Sequence, residues 1–151
     1  KAIIAMYLST GLRVTELCSI TLEQYLNDNI NVKVKGNKFR KVYLNDDCKK
    51  YIDAYLSVRK SGCEYLFVSN QHTQMSRVAL NRTVKVLAER ANIDKNISNH
   101  TFRHSFCSVM CDKYGIAVAQ KVIGHSSPNI TARYCHNEQS QIESIMSCIK
   151  L

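Results

Sequence analysis

The chain has 151 residues, of which 45% are hydrophobic, and this size and composition predict one folded domain with a buried core. No apolar run approaches the roughly 18 residues of a membrane span, and the opening segment AIIAMYL has no cleavage site of a signal peptide behind it. The formal net charge of +9 is spread along the chain, which suits either a polyanionic partner or an ordinary basic protein.

The first half of the chain predicts helices and one hairpin. Residues 2–9 form a predicted buried helix that Gly11 ends, and LRVTELCSI carries a second helix. The valine-rich segments NINVKV and FRKVYL predict strands, and KGNK between them supplies a Gly-Asn turn. Asp46 or Asp47 is expected to cap the next helix. The apolar face of that helix is predicted at Cys48, Tyr51, Ile52, Tyr55 and Leu56.

The second half predicts a short strand at YLFVS and then mostly helices. Ser76 caps the first of these, Ser98 or Asn99 caps the next, and Gly115 ends it before the helix IAVAQKVIG. Ser127–Pro128 is the N-cap and first-turn pair of a short helix toward Tyr134. The predicted apolar positions are Leu80, Val84, Leu87, Ala88, Ala91, Phe102, Phe106, Val109, Met110, Ile142, Ile145, Met146 and Ile149. These elements predict a mainly helical α+β domain with one small antiparallel sheet.

The cysteines predict reduced thiols. Their number is odd and no C-x-x-C pair occurs, which favours buried small hydrophobes in a cytoplasmic protein over a disulfide framework. They are Cys18, Cys48, Cys63, Cys107, Cys111, Cys135 and Cys148.

The stretch SNHTFRHSF has three interpretations: half a metal site, an anion site, or polar residues beside a core helix. A metal held by His100 and His104 is disfavoured, since Thr101 stands where a catalytic glutamate is usual and Arg103 adds a positive charge. His100 and Arg103 lie about 60° apart on a helical wheel, in a first turn whose free N–H groups attract anions. An anion site and a satisfied structural pair both stay open at this point.

Several other polar residues are uninformative one by one, but their order along the chain is informative. Arg13 can simply pair with Glu16, Lys35 can be a solvated turn residue, and Tyr134 can be a core aromatic. Taken in sequence, however, STGLRVTEL, KGNK, HTFRH, GHSSPN and ITARY resemble the catalytic domain of the tyrosine site-specific recombinases, the phage-type integrases. The resemblance covers nearly the whole chain.

This resemblance implies the catalytic-domain fold of that family and a set of site residues. Tyr134 is the implied nucleophile, Glu16 orients Arg13 or His100 without contacting DNA, and His104 is structural. Cys107 and Cys111 are expected to pack behind the site. The implied catalytic residues are Arg13, Lys35, His100, Arg103, His125 and Tyr134.

The implied function is cleavage and rejoining of double-stranded DNA through a 3′-phosphotyrosyl intermediate, without ATP, metal, other cofactor or small-molecule substrate. A homotetramer on DNA is expected, with the amphipathic tail 138–151 docked on its own domain or on a neighbour, in a cytoplasmic, DNA-associated protein. Since the sequence begins at Lys1, we expect residues 1–151 to be a catalytic fragment without the family's N-terminal DNA-gripping domain. The alternatives are an inactive DNA-binding regulator on this scaffold and a type IB topoisomerase-like enzyme.

Overall fold

The structure, a computed structural model, describes residues 1–34, 36–124 and 131–132. Its elements confirm a mainly helical fold with one two-stranded antiparallel sheet. The chain divides into two compact units, Lys1–Phe106 and a second that begins at Cys107. In order, the elements are α1 Ala2–Thr10, α2 Val14–Cys18, α3 Leu22–Leu26, β1 Ile30–Val34, β2 Lys38–Val42, α4 Asp46–Leu56, α5 Arg77–Arg90 and α6 Asn99–Ile123.

A tight turn joins α1 to α2. Gly11 ends α1 with φ 58° and donates its N–H to the carbonyl of Tyr7 at 3.0 Å, as a left-handed C-terminal cap does. Arg13 then takes an extended backbone as the N-cap of α2. The turn therefore places Arg13 two residues after the glycine that caps α1.

The predicted hairpin is confirmed. Val32 lies opposite Arg40 and Val34 lies opposite Lys38 in an antiparallel register. Gly36 and Asn37 have φ values of 85° and 59°, which a Gly-Asn turn tolerates at little cost. Lys35 lies outside the described residues.

Two capping assignments change in the structure. A short helix, α3, was not predicted, although its T-x-x-Q capping box is in the sequence: Thr21 and Gln24 exchange backbone and side-chain hydrogen bonds at 3.2 Å. The prediction that Asp46 or Asp47 caps α4 is wrong, because Asn45 Oδ1 accepts the Cys48 N–H at 2.9 Å. Both aspartates instead lie in the first turn, where the helix dipole favours them.

Other differences concern the third strand and three apolar positions. YLFVS forms no strand; Tyr65 and Val68 make only isolated bridges, to Thr21 and Gln74. Ala91 follows α5 as an exposed cap, so it does not join the core. The side chains of Tyr51 and Val109 were also placed inward, yet they are 43% and 59% exposed.

The first unit has a continuous apolar core between its helices and the inner face of the hairpin. The stacked rings of Tyr7 and Phe102, 5.7 Å apart, lie within it and join α1 to α6. Its most completely buried side chains are Met6, Tyr7, Leu12, Leu17, Ile20, Ile52, Leu66, Leu80, Val32 and Val84.

The last described helix breaks where the sequence predicts. Gly115 has φ 79° and ψ 166°, so α6 consists of two helical segments that meet at this residue. Before the helix, Ser98 exchanges hydrogen bonds with Thr101, as a capping residue does. The predicted helix after Ser127 and the apolar tail lie outside the described residues. Within the described part, no helix has both the length and the apolar character needed to cross a membrane.

Candidate active site

The candidate site is built on the turn between α1 and α2. Arg13 donates its backbone N–H to Glu16 Oε2 at 2.9 Å and its guanidinium Nη1 to Glu16 Oε1 at 2.8 Å. Glu16 is the third residue of α2, so its carboxylate reaches back to the N-cap by the usual capping geometry. The Glu16 side chain is only 3% exposed, whereas that of Arg13 is 39% exposed. Glu16 thus fixes the Arg13 guanidinium while leaving part of it at the surface.

A second guanidinium shares the same carboxylate. Arg40, on β2, places Nη2 3.2 Å from Glu16 Oε2, and its side chain is 11% exposed. Arg40 lies opposite Val32 on the face of the hairpin that includes buried Val42. The sequence contained the signal, because a charged side chain on the inward face of a strand requires a buried partner. This residue was missing from the predicted site.

The pKa of the Glu16 carboxyl reflects competing effects. Burial raises the pKa, but the hydrogen bonds from Arg13 and the charges of Arg40 and Arg13 outweigh burial and leave it below its usual value. For Arg40, burial and the charge of Arg13 lower the guanidinium pKa, and together they outweigh the charge and hydrogen bond of Glu16, which raise it. Arginine stays protonated at any physiological pH, so Glu16 is a carboxylate between two cations.

Arg103 approaches the same turn from α6. Its Nη1 donates a hydrogen bond to the carbonyl oxygen of Gly11, and the residue is 8% exposed. Gly11 precedes Arg13 by two residues, which span at most about 7 Å of chain. The structure therefore brings Arg13, Glu16 and Arg103 to one turn, and Arg40 joins them through Glu16.

Gly11 also sets how closely α6 can approach. A Cβ on Gly11 would lie 3.0 Å from Cγ and 3.1 Å from Cε1 of the Phe106 ring, and closer still to Cδ1. Only a residue without a side chain allows both this contact and a φ of 58°. The ring of Phe106 and the guanidinium of Arg103 thus meet the same glycine from one helix.

The first turn of α6 carries His100, the histidine of the candidate site that the structure describes. His100 and His104 are both exposed, and His100 lies three residues before Arg103. Buried Asn99 donates its side-chain amide to Asn81 Oδ1 of α5, which anchors the start of α6 beside His100. The exposed position of His100 leaves it accessible to a ligand at the surface.

Three predicted catalytic residues, Lys35, His125 and Tyr134, lie outside the described residues. Among the described cysteines, Cys107 and Cys111 are buried, at 1% and 2% exposure, as expected for packing residues. Where the structure describes the chain, no three His, Cys, Asp or Glu side chains cluster as metal ligands would.

The arrangement has the chemistry of an anion site. Two guanidiniums, each with five N–H bonds, lie at one turn: Glu16 holds that of Arg13, and the Gly11 carbonyl accepts from that of Arg103. Forked N–H pairs match the nonbridging oxygens of a phosphate. Rigid anchoring by Glu16 and by the Gly11 carbonyl means that little rearrangement is needed when the anion arrives.

Sequence comparisons identify the family of the chain. The family model described as the phage integrase family matches residues 1–141. Tyrosine recombinase XerC of Caldanaerobacter subterraneus subsp. tengcongensis is 38% identical over 97% of this chain and 43% of its own length. Tyrosine recombinase XerD of Staphylococcus saprophyticus subsp. saprophyticus is 31% identical over 96% of this chain and 52% of its own length. The chain thus spans about half the length of these curated relatives.

Solved structures share the fold. The crystal structure of XerA recombinase has a TM-score of 0.80 and 30% identity, covering 99% of this chain and 57% of that chain. XerH site-specific recombinase, bound to its difH substrate before cleavage, has a TM-score of 0.77 over 97% of this chain and 45% of that chain. Its identity is 22%, so this second likeness concerns the fold alone.

Proposed function

The chain belongs to the phage integrase family, and from this premise we propose that it carries the strand-transfer chemistry of a site-specific DNA recombinase. It cleaves a DNA phosphodiester, holds the cleaved end covalently, and passes it to a second strand. No bond energy is lost to water, so the strand is resealed without ATP.

The observation that supports this proposal best is the pair of anchored guanidiniums, Arg13 and Arg103. Attack on a phosphodiester gains negative charge on the nonbridging oxygens, and guanidiniums neutralise that charge better than ammonium groups do. Losing one such contact typically costs about 3 kcal/mol of barrier. Because two arginines and a lysine supply the positive charge, the proposed reaction needs no metal ion.

In the proposed reaction, the Tyr134 hydroxyl oxygen attacks the scissile phosphorus. His100 takes the phenolic proton as general base, the bond from phosphorus to the 5′-oxygen breaks, and Lys35 protonates the leaving oxygen. The products are a 3′-phosphotyrosyl bond and a free 5′-hydroxyl. In the reverse chemistry, a 5′-hydroxyl from a partner strand attacks the phosphotyrosyl bond and releases Tyr134. His125 hydrogen-bonds the same phosphate, and Glu16 positions Arg13.

These assignments have different support. Arg13 and Arg103 are supported by their position at one turn, and Glu16 by its two hydrogen bonds to Arg13. His100 is supported by its exposed position one turn from Arg103. Lys35, His125 and Tyr134 are assigned from their places in the sequence motifs.

We propose double-stranded DNA as the partner and a homotetramer as the assembly that pairs two DNA sites. The net charge of +9 fits a polyanionic partner. XerH, with which this chain shares the fold, was solved with its difH substrate. In this proposal, the protein works on DNA in the cytoplasm.

A covalent capture assay on a pool of sequences tests the activity and selects the target at the same time. Randomised duplexes with one fixed nick are incubated with the protein at low salt. The nick is included because cleavage then releases a short fragment that carries the 5′-hydroxyl. Once this fragment diffuses away, the strand cannot be resealed and the covalent adduct accumulates. We expect protein-linked DNA that survives SDS, shares a common sequence, and disappears in Tyr134→Phe. Adduct that persists in Tyr134→Phe, or its absence with the unsubstituted protein, contradicts the proposal.

The two alternative functions predict different results. A DNA-binding regulator gives a shifted band on the selected duplex without an adduct. A type IB topoisomerase-like enzyme gives a Tyr134-dependent adduct and relaxes a supercoiled plasmid, but does not join strands from two duplexes. Joining of two differently labelled duplexes favours the recombinase.

A further inference from the structure

The Glu16 carboxylate is shared unequally between two arginines. Oε1 accepts from the Arg13 guanidinium, while Oε2 accepts from the Arg13 backbone N–H and lies 3.2 Å from Arg40 Nη2. Arg40 is 11% exposed against 39% for Arg13. Arg13 is therefore the arginine that a ligand at the surface meets, and Arg40 is the one that faces inward.

The charges of this cluster decide how strongly it attracts a phosphate. Arg13 and Glu16 alone form a neutral pair, whereas Arg13, Glu16 and Arg40 together carry one net positive charge. In a site shielded from water, a carboxylate with a single cationic partner draws that partner strongly to itself. A phosphate then competes with Glu16 for the same guanidinium. A second cation on the carboxylate weakens that competition.

We propose that Arg40 is a positioning residue for strand cleavage: it shares the negative charge of Glu16, so that Glu16 competes less with the scissile phosphate for the Arg13 guanidinium. The inference rests on the proposed function and extends it to a residue on the hairpin. Arg40 acts through Glu16 and Arg13 and does not touch the phosphate. Its ion pair also joins β2, the strand that follows Lys35 in the chain, to the first turn of α2, the helix that Arg13 caps.

The test compares two substrates for each variant. One is a nicked duplex selected by covalent capture. The other is the same duplex with a methyl group in place of one nonbridging oxygen at the scissile phosphate, which removes the negative charge. Single-turnover rates of adduct formation are measured on both at saturating protein. The ratio of the two rates does not depend on how much of a preparation is folded.

Arg40→Met is expected to slow cleavage of the charged substrate about 10- to 100-fold, as loss of a partner behind a functional group commonly does. Cleavage of the neutral substrate is expected to change little, because less charge needs to be neutralised there. Arg40→Lys is expected to stay within about threefold of the unsubstituted protein, since it keeps the charge that Glu16 needs. DNA affinity is expected to change little, because Arg40 does not meet the phosphate.

A double variant separates positioning from support of the fold. When Glu16→Gln is added to Arg40→Met, the carboxylate no longer competes for Arg13, so cleavage is expected to recover about tenfold over Arg40→Met alone. A merely structural role predicts a further loss instead. Arg59→Met is the matched control, because Arg59 is also partly buried but donates to the carbonyls of Ser61, Cys63 and Tyr65.

Arg59→Met is expected to keep the ratio of cleavage rates on the charged and neutral substrates that the unsubstituted protein shows. An unchanged ratio in Arg40→Met, or a further loss in the double variant, overturns the role of Arg40 while leaving the proposed function intact. If the unsubstituted protein forms no adduct that depends on Tyr134, the proposed function fails and the inference fails with it.

Discussion

Replacing Gly11 with alanine perturbs the turn on which both arginines depend. At φ 58°, alanine costs about 1–2 kcal/mol relative to glycine. The new Cβ would lie 3.0 Å from Cγ and 3.1 Å from Cε1 of Phe106, and forcing a methyl group into such a packed contact costs about 1–3 kcal/mol more. We therefore expect Gly11→Ala to lower the free energy of unfolding by about 2–5 kcal/mol.

The assay is urea unfolding, with Gly36→Ala as the matched control. Gly36 also has positive φ, 85°, but a Cβ there would meet nothing within 4 Å. Gly36→Ala therefore carries only the backbone cost of about 1–2 kcal/mol. The difference between the two variants measures the overlap with the Phe106 ring.

A double-mutant cycle checks the assigned cause. In a Phe106→Ala background the ring is gone, so Gly11→Ala is expected to cost no more than Gly36→Ala does. The same substitution shifts the carbonyl that holds Arg103, so strand cleavage is expected to fall even at temperatures where Gly11→Ala is fully folded. Equal costs for Gly11→Ala and Gly36→Ala in the unsubstituted background would refute this account of the turn.

Three further predictions concern the site's charges. The pKa of Glu16 is lowered in the folded state, so its negative charge stabilises the fold above the usual carboxyl pKa, about 4.3. This contribution is lost as pH falls through the folded pKa. Urea unfolding should therefore show that the difference in free energy of unfolding between the unsubstituted protein and Glu16→Gln shrinks over this pH range. Arg103→Lys keeps the charge but loses the fork that reaches the Gly11 carbonyl and a phosphate together, so single-turnover cleavage should fall about 100-fold with DNA affinity little changed; cleavage within threefold would contradict this. The logarithm of the affinity for duplex DNA, measured by fluorescence anisotropy, should fall linearly with the logarithm of salt concentration; a salt-independent affinity would contradict a phosphate-binding surface.

The sequence was informative wherever local rules decide the structure. Gly11 and Gly115 interrupt helices at the predicted places, and Ser76 caps α5 through its hydroxyl, 3.1 Å from the Ala79 nitrogen. Alternating valines and the Gly-Asn turn identify the hairpin from its own sequence. Short local sequence patterns carried each of these signals.

Long-range packing decided what the sequence did not predict. YLFVS has the composition of a strand, but it makes only isolated bridges, while Leu66 and Phe67 are buried in the core. Val109 belongs to an apolar pattern and yet is 59% exposed, since periodicity does not specify which neighbours a helix will have. A pattern along one helix carries no information about its tertiary partners.

The candidate site also combines residues that the sequence predicted with contacts that only the folded structure reveals. The order of the motifs along the chain predicted Arg13, Glu16 and Arg103, and the structure brings these three to one turn. Arg40 was missed because its role comes from a contact between β2 and α2, which are 24 residues apart at the ion pair. The Phe106 ring against Gly11 is likewise a contact between distant segments.

Peptide mapping of the covalent adduct tests the central claim most directly. Trypsin cleavage after Arg133 releases a peptide that begins at Tyr134 and contains no other tyrosine. Mass spectrometry is expected to find a nucleotide joined through a phosphodiester to that peptide, with a yield that falls about 100-fold in Arg13→Met and in Arg103→Met. A nucleotide attached to any other peptide, or a yield that neither arginine affects, would contradict convergence of these groups on one phosphate.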